Sequence, residues 1–232
     1  VSFTHSKDSR FAFGSSALAA YLTGYTTSTS TDTADTTPLA ESARTYVAGL
    51  SDSTITATGL FESLYDTAAV AALGAANGSP VTVAPEGFAV GSPVLVVAGR
   101  EISYELTSAV GEVVGANVSI QGDGRFDAGV SLADLAEVTA GGNGTAHTAA
   151  AGTSNGGVAT IHVTACTGTL TVKIQHSTNN STWSDLATFT AATAATSERV
   201  AVTGTVNRYL RASWTLTGAG AAATFTTSFA RR

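Results

Sequence analysis

The sequence predicts a mainly β protein of two domains, residues 1–149 and 150–232, and three observations carry that prediction. Apolar and polar residues alternate with a period of two in several stretches, as in strands that bury one face. In the last third these stretches recur roughly every ten residues, the spacing of a small β-sandwich of jelly-roll or immunoglobulin-like type. Between the two parts, residues 139–157 are rich in Gly, Ala, Asn and Thr, the composition of a linker.

Taken in chain order, short apolar runs stand first at Phe11-Ala12-Phe13 and at residues 18–22. Residues 25–37 are almost all Thr, Ser, Asp and Ala, with no apolar period, and are expected to form a long exposed loop or hairpin arm. Residues 44–62 read as strand, turn, strand, with Ile55, Ala57 and Gly59 alternating against Thr54, Thr56 and Thr58. Asp66, an alanine-rich run to Leu73, then Gly74 and Gly78 predict one short flanking helix: Asp caps the start, Ala favours the interior and Gly ends it. Strands return over residues 80–120. Val94 to Ala98 is continuously apolar, and Glu101, Ser103, Glu105 and Thr107 alternate with Ile102, Tyr104 and Leu106, which puts both carboxylates on one face of a regular strand. After the linker, strands are expected over 158–165, 170–176, 186–190, 198–202, 209–216 and 223–229, with a turn at Asn179-Asn180-Ser181. Leu210, Ala212, Trp214 and Leu216 share one face, so Trp214 is expected in the core.

Composition excludes several classes. Ala, Gly, Ser and Thr fill 128 of the 232 positions, and only 12% of residues are charged, about half the usual share. A single Cys forbids an internal disulfide framework and any multi-cysteine metal site. No run reaches the roughly 18 apolar residues of a membrane span, and 44% apolar content is too high for a disordered chain. The net charge of −6 is uneven: residues 1–149 carry five bases and fifteen acids, residues 150–232 six bases and two acids. That asymmetry predicts two surfaces with different partners.

No constellation for catalysis emerges. His5, His147, His162 and His176 are never three or four apart, Cys166 has no identifiable base, and no nucleophile elbow, phosphate loop or dinucleotide fingerprint is present. Residues 122–127, Gly-Asp-Gly-Arg-Phe-Asp, fall short of a calcium loop and read as a turn. No enzyme activity, cofactor or metal is therefore expected. Glu101 and Glu105 are roughly 13 Å apart on an extended strand, too far to act as a catalytic pair. Arg199, Arg208, Tyr209 and Arg211 form a basic and aromatic group, with Tyr209 and Arg211 on the face opposite Trp214, an ordinary solvent face or a contact for carbohydrate or protein.

Four phrases of the last third, Lys173-Ile174-Gln175-His176-Ser177, Trp183-Ser184-Asp185-Leu186, Asn207-Arg208-Tyr209-Leu210-Arg211-Ala212 and Phe229-Ala230-Arg231-Arg232, resemble the carboxy-terminal part of major tail tube proteins of long-tailed actinobacterial phages. Upstream, the Thr-rich arm before Thr45-Tyr46-Val47-Ala48-Gly49-Leu50 is similar in style. The resemblance implies a virion protein assembled in the host cytoplasm. Its first domain would form a ring of six around a β-barrel wall, and the rings would stack into a tube. Its partners would be the terminator, tape measure and distal tail proteins, with DNA passing through unbound and the second domain outside. On that reading part of the acidic excess lines the lumen. Glu101 and Glu105 are then the first lumen candidates, followed by Asp52 and Glu62, while Arg199, Arg208, Tyr209 and Arg211 are exterior contacts. A capsid decoration protein and a carbohydrate-binding or adhesin module are the alternatives.

Overall fold

A computed structural model describes residues 5–18, 20–61 and 78–232. The protein is mainly β: strands dominate the described residues, which contain no α-helix and a single 3-10 turn at Ser6–Asp8. The expected helix at 66–73 and the candidate Glu62 lie outside the described residues. The strand pairings described below are antiparallel.

The chain folds into two compact units, and neither is one continuous stretch. The first comprises Val1–Ala20, Ser79–Ala98 and Asp127–Arg232; the second comprises Tyr21–Gly78 and Gly99–Phe126. The expected boundary at 149/150 falls inside the first unit. Residues 139–157 do not act as a spacer, because their backbone is stitched to residues 206–212. Gly144 N–H donates to the Ala212 carbonyl at 2.8 Å, Ala149 N–H to Arg208 at 3.1 Å, and Thr153 and Val206 exchange bonds of 2.9 and 2.8 Å.

Strands are numbered along the chain. In the first unit, β1 (Arg10–Phe13) pairs with β2 (Ser16–Ala17) and with β5 (Ser79–Ala84). The start of β6 (Pro93–Thr107) pairs with β8 (Asp127–Val138). The framework of this unit is a ribbon of β11 (Gly157–Ser177) and β14 (Tyr209–Arg231), paired from Gly157↔Arg231 to Ser177↔Tyr209. The sequence pattern predicts each of these as two strands. They are single strands interrupted by register shifts, at Val163/Ala165 and at Thr167/Thr169. At the second shift Gly168 has φ +88°, and a Cβ there would sit 2.4 Å from the Thr217 carbonyl oxygen. Irregularities of this kind bend a ladder without ending it.

Each half of the ribbon recruits its own neighbours. The Gly157 end pairs with β13 (Thr196–Val202), and the Ser177 end with β12 (Ser184–Thr188). Along β14, the Arg231 end pairs with β8, and the Tyr209 end with β9 (Gly142–Asn143) and β10 (His147–Thr148). Side chains from both halves meet in one core that includes Ile161, Leu170, Ile174, Leu210, Phe225 and Phe229. Trp214 packs against this core as expected, edge-on to Phe225 at 5.5 Å, with its Nε1–H donating to the Ala140 carbonyl at 3.0 Å. The turn at Asn179-Asn180-Ser181 also forms, with Asn180 at φ +58° and Asn179 Oδ1 accepting from Ser181 and Thr182 N–H.

The second unit is a sheet in the order β3 (Leu22–Asp35), β4 (Tyr46–Leu60), β7 (Gly115–Gly122) and the Gly99–Thr107 part of β6. The Thr-rich stretch is therefore a strand, and β4 is one strand without the expected internal turn. Thr is β-branched and suits an extended backbone even where no face is buried. The hairpin tip is knit by polar side chains. Asp35 Oδ1 accepts from the Thr37 N–H at 2.9 Å and its hydroxyl at 2.5 Å, and Thr45 N–H donates to Thr37 Oγ1 at 2.9 Å.

Candidate functional site

In the second unit, pairing gives the sheet two contrasting faces. Ile55, Ala57, Ala116, Val118 and Ile120 are buried on one. The other carries Thr54, Thr56 and Thr58 beside Gln121, Ser119 and Asn117. β7 supports β4 only from Ser53 to Leu60. Beyond that, residues 30–35 and 46–52 form a two-stranded arm that is exposed along almost its whole length. Tyr46, Val47 and Leu50 stand in solvent on it, Leu50 at 82% exposure, and Leu39 does so in the connection at its tip.

The two leading acidic candidates are not brought together. Pairing runs Glu101↔Ile120 and then Ser103↔Ser119, so Ile102 is an extra residue on β6. One extra residue reverses the facing of everything beyond it. Glu105 consequently lies beside Asn117 on the polar face and is exposed. Glu101 turns onto the apolar face at 2% exposure, while Ile102 is 58% exposed. Among the described residues neither Glu101 oxygen has a hydrogen-bond partner. Burial pushes its carboxyl up to about 7, because the charged form loses its water and gains nothing in return. Asp52 is exposed on the polar face, where it accepts from Ser53 N–H at 2.9 Å and from the Gln121 amide. Asp52 and Glu105 thus share the polar face, and Glu101 leaves it.

The four basic and aromatic candidates of the first unit also divide. Arg199 pairs with Asp127 at 2.8 Å, and Arg232 reaches the same carboxylate at 2.9 Å. Burial works against the Asp127 charge, but hydrogen bonds and attraction from Arg232 and Arg199 outweigh it and hold the carboxyl below its ordinary value. On β11, Arg199 stands opposite Thr160 and Arg211 opposite Gln175, at opposite ends of the ribbon. Arg208 lies 5.5 Å from the Tyr209 ring centroid and donates from Nε to the Ala149 carbonyl at 2.9 Å.

Arg211 belongs to a cluster that sequence reasoning missed. Its guanidinium carbon lies 4.3 Å from the Trp183 ring centroid, and its Nε donates to Gln175 Oε1 at 2.9 Å. Gln175 Nε2 donates to Asp185 Oδ1 at 2.8 Å, and Lys173 Nζ to Asp185 Oδ2 at 2.6 Å. The available signal was parity: Lys173, Gln175 and Arg211 all point away from the core. The cross-strand register that joins them is not written in either strand alone.

Three further titratable groups, His162, His176 and Cys166, bond within the fold. His162 is buried at 1%: its Nδ1 donates to the Gly14 carbonyl at 2.7 Å and its Nε2 accepts from Thr82 at 2.7 Å. Burial pulls its pKa down to about 4, so the ring is neutral. His176 Nδ1 accepts from Asn207 N–H at 3.2 Å, and the Cys166 thiol lies 3.4 Å from the Ala192 carbonyl. Among the described residues no three of His, Cys, Asp and Glu converge on one point. A cleft of about 360 Å³ opens among Ile161, Val163, Leu170, Val172 and Glu198, but the Glu198 carboxylate is already taken by Thr190 N–H and hydroxyl. No helix among the described residues is long and apolar enough to cross a membrane.

No family model matches the chain, and no curated protein matches it. Among solved structures, a chain of the virion of a native gene transfer agent particle is similar at 16% identity and a TM-score of 0.44, over 53% of this chain and 97% of that one. The SPP1 Dit (gp 19.1) protein, described as a paradigm of the hub adsorption apparatus in phages that infect Gram-positive bacteria, is similar at 10% identity and a TM-score of 0.38. That match covers 95% of this chain and 98% of the other.

Proposed function

We propose that the chain is a structural subunit of a phage tail tube, in which six copies close into a ring and rings stack around a conduit for DNA. The observation that carries this reading is the unsupported arm of the second unit. A two-stranded ribbon is marginal in water by itself, and this one exposes Tyr46, Val47 and Leu50 on strands that no third strand covers among the described residues. The outer edge of β3 likewise has no partner strand there. An open edge and an apolar arm are liabilities in a monomer. Both are relieved when a second copy pairs with the edge and packs on the arm. A head-to-tail contact of that kind closes into a ring, and stacked rings make a tube.

Charge supports the same reading. The second unit holds three bases against ten acids, a net of −7, and the first unit is close to neutral at +1. A polar wall bearing Asp52 and Glu105 repels phosphate and lets DNA slide. Glu62 stays a candidate for that wall by sequence alone. Electron micrographs of the purified full chain test the proposal, with six-membered rings or tubes as the expected result. A chain that remains monomeric at high concentration would overturn it, and binding only to preformed capsids would replace it with a decoration role.

A further inference from the structure

The strongest unassigned feature is the outward face of β12, β11 and β14 at their Ser177–Tyr209 end. There five side chains form one connected line, Lys173 to Asp185 to Gln175 to Arg211 to Trp183. We infer that this face is a binding site for a polysaccharide that carries carboxylate groups.

Three observations select that ligand chemistry. The first is charge: Lys173 and Arg211 share the cluster with one acid, Asp185, and Arg208 lies over the neighbouring Tyr209 ring, so cations outnumber acids here on a chain whose net charge is −6. The second is preorganisation. The Arg211 guanidinium is held between the Trp183 ring, 4.3 Å from its central carbon, and Gln175 at Nε, and its two Nη groups have no protein partner among the described residues. A fixed guanidinium with a free pair of N–H groups matches a carboxylate bidentately. The third is the kind of surface. Trp183 is half-buried, and Tyr209 lies on the same side of β14 as Arg211, so two aromatic side chains border the cluster, as in surfaces that bind sugars. Ser213 and Asn143, opposite each other in the next row, add hydrogen-bonding groups.

A protein partner fits this face less well. Protein interfaces bury an apolar, charge-poor centre. Every large exposed apolar side chain of the described residues lies between Leu39 and Val113, none in this region. The chain thus separates an apolar surface suited to self-assembly from a basic, aromatic and polar one suited to an acidic sugar. The inference does not depend on the tube reading, since a single chain carries the whole face.

Binding of the full chain to immobilised alginate, a polyuronate, tests the inference, with neutral dextran alongside. The expected result is retention on alginate and none on dextran. Arg211→Gln and Trp183→Ala should each weaken retention by about tenfold or more, the scale of one lost charge-assisted bond. Arg211→Lys keeps the charge without the fork and should fall between Arg211→Gln and the unaltered chain. Arg10→Gln removes a cation elsewhere and should change nothing. Thermal midpoints equal to the unaltered chain's show that each variant is folded. Equal weakening by Arg10→Gln would reduce the binding to general polyelectrolyte attraction and overturn the site. Unchanged binding by Arg211→Gln, or equal retention on dextran, would overturn it too. A change in sedimentation on Arg211→Gln without sugar would assign the face to a second copy of the chain instead.

Discussion

Glu101 shows how much one side chain can set. It is an acid placed on an apolar face with no partner among the described residues, so the folded unit favours its neutral form. Its carboxyl is raised from 4.5 to about 7. A raised acid is best tolerated while protonated. Its contribution therefore worsens as pH climbs above about 4.5, and the full penalty is present once pH exceeds about 7. Asp127 works in the opposite direction: its carboxyl is lowered, so its two arginine contacts stabilise the fold above the ordinary Asp value and are lost as pH falls through the lower folded value. Chemical denaturation from pH 3 to pH 9 should accordingly show stability rising out of acid, declining between about pH 4.5 and 7 and levelling off above that. Glu101→Gln should flatten the decline. Glu101→Leu should add about 1–3 kcal/mol at pH 8, the cost of an unsatisfied buried polar group. A decline that survives both substitutions would place its origin elsewhere.

At the scale of elements, the irregularities matter as much as the strands. The bend of the β11–β14 ribbon passes through Gly168, where a side chain meets both a strained φ and the Thr217 carbonyl. Gly204 offers the comparison, with φ +83° and nothing among the described residues within 4 Å of where a Cβ would sit. Gly204→Ala should cost about 1 kcal/mol from backbone strain alone. Gly168→Ala should cost about 2 kcal/mol or more, read as a lower denaturation midpoint. Equal losses would mean that crowding at the bend is relieved by movement of the ladder. The hairpin arm makes the complementary case. Leu50 is 82% exposed, so Leu50→Asp should change monomer stability by less than about 0.5 kcal/mol. The same change should abolish rings in micrographs. Rings that persist would remove the arm from the interface.

For the whole molecule, the unit boundaries regroup the charge that the sequence distributes. Cut at 149/150, the acidic excess belongs to the first part of the chain. By compact units it concentrates in the second unit at −7. The tube reading places that charge beside DNA, and the burial of Glu101 changes how the idea is tested. A lysine at Glu101 would disrupt an apolar face, whereas Asp52→Lys with Glu105→Lys alters only exposed positions. Particles carrying that double change should assemble normally and release DNA more slowly. Unchanged release kinetics would remove Asp52 and Glu105 from the wall.

Much of the local architecture was legible in the sequence. The alternation of Ile55, Ala57 and Gly59 against threonines marks the buried and exposed faces of β4, the parity of Leu210 to Leu216 puts Trp214 against the core, and Asn179-Asn180 marks its turn. These features depend on neighbours one to four residues apart, which a linear pattern records. Other features needed residues far apart in the chain. The Thr-rich stretch gives no apolar period, yet it is a strand because β4 supplies its hydrogen bonds. The 139–157 stretch has a linker's composition, yet it is pinned by β14. The bulge at Ile102 separates Glu101 from Glu105, and the register of β12, β11 and β14 joins Trp183, Asp185 and Arg211. The sequence by itself determined that this is a β protein and which side chains alternate. Tertiary structure alone decided which faces meet, because the offset between two paired strands is chosen by both of them and encoded in neither.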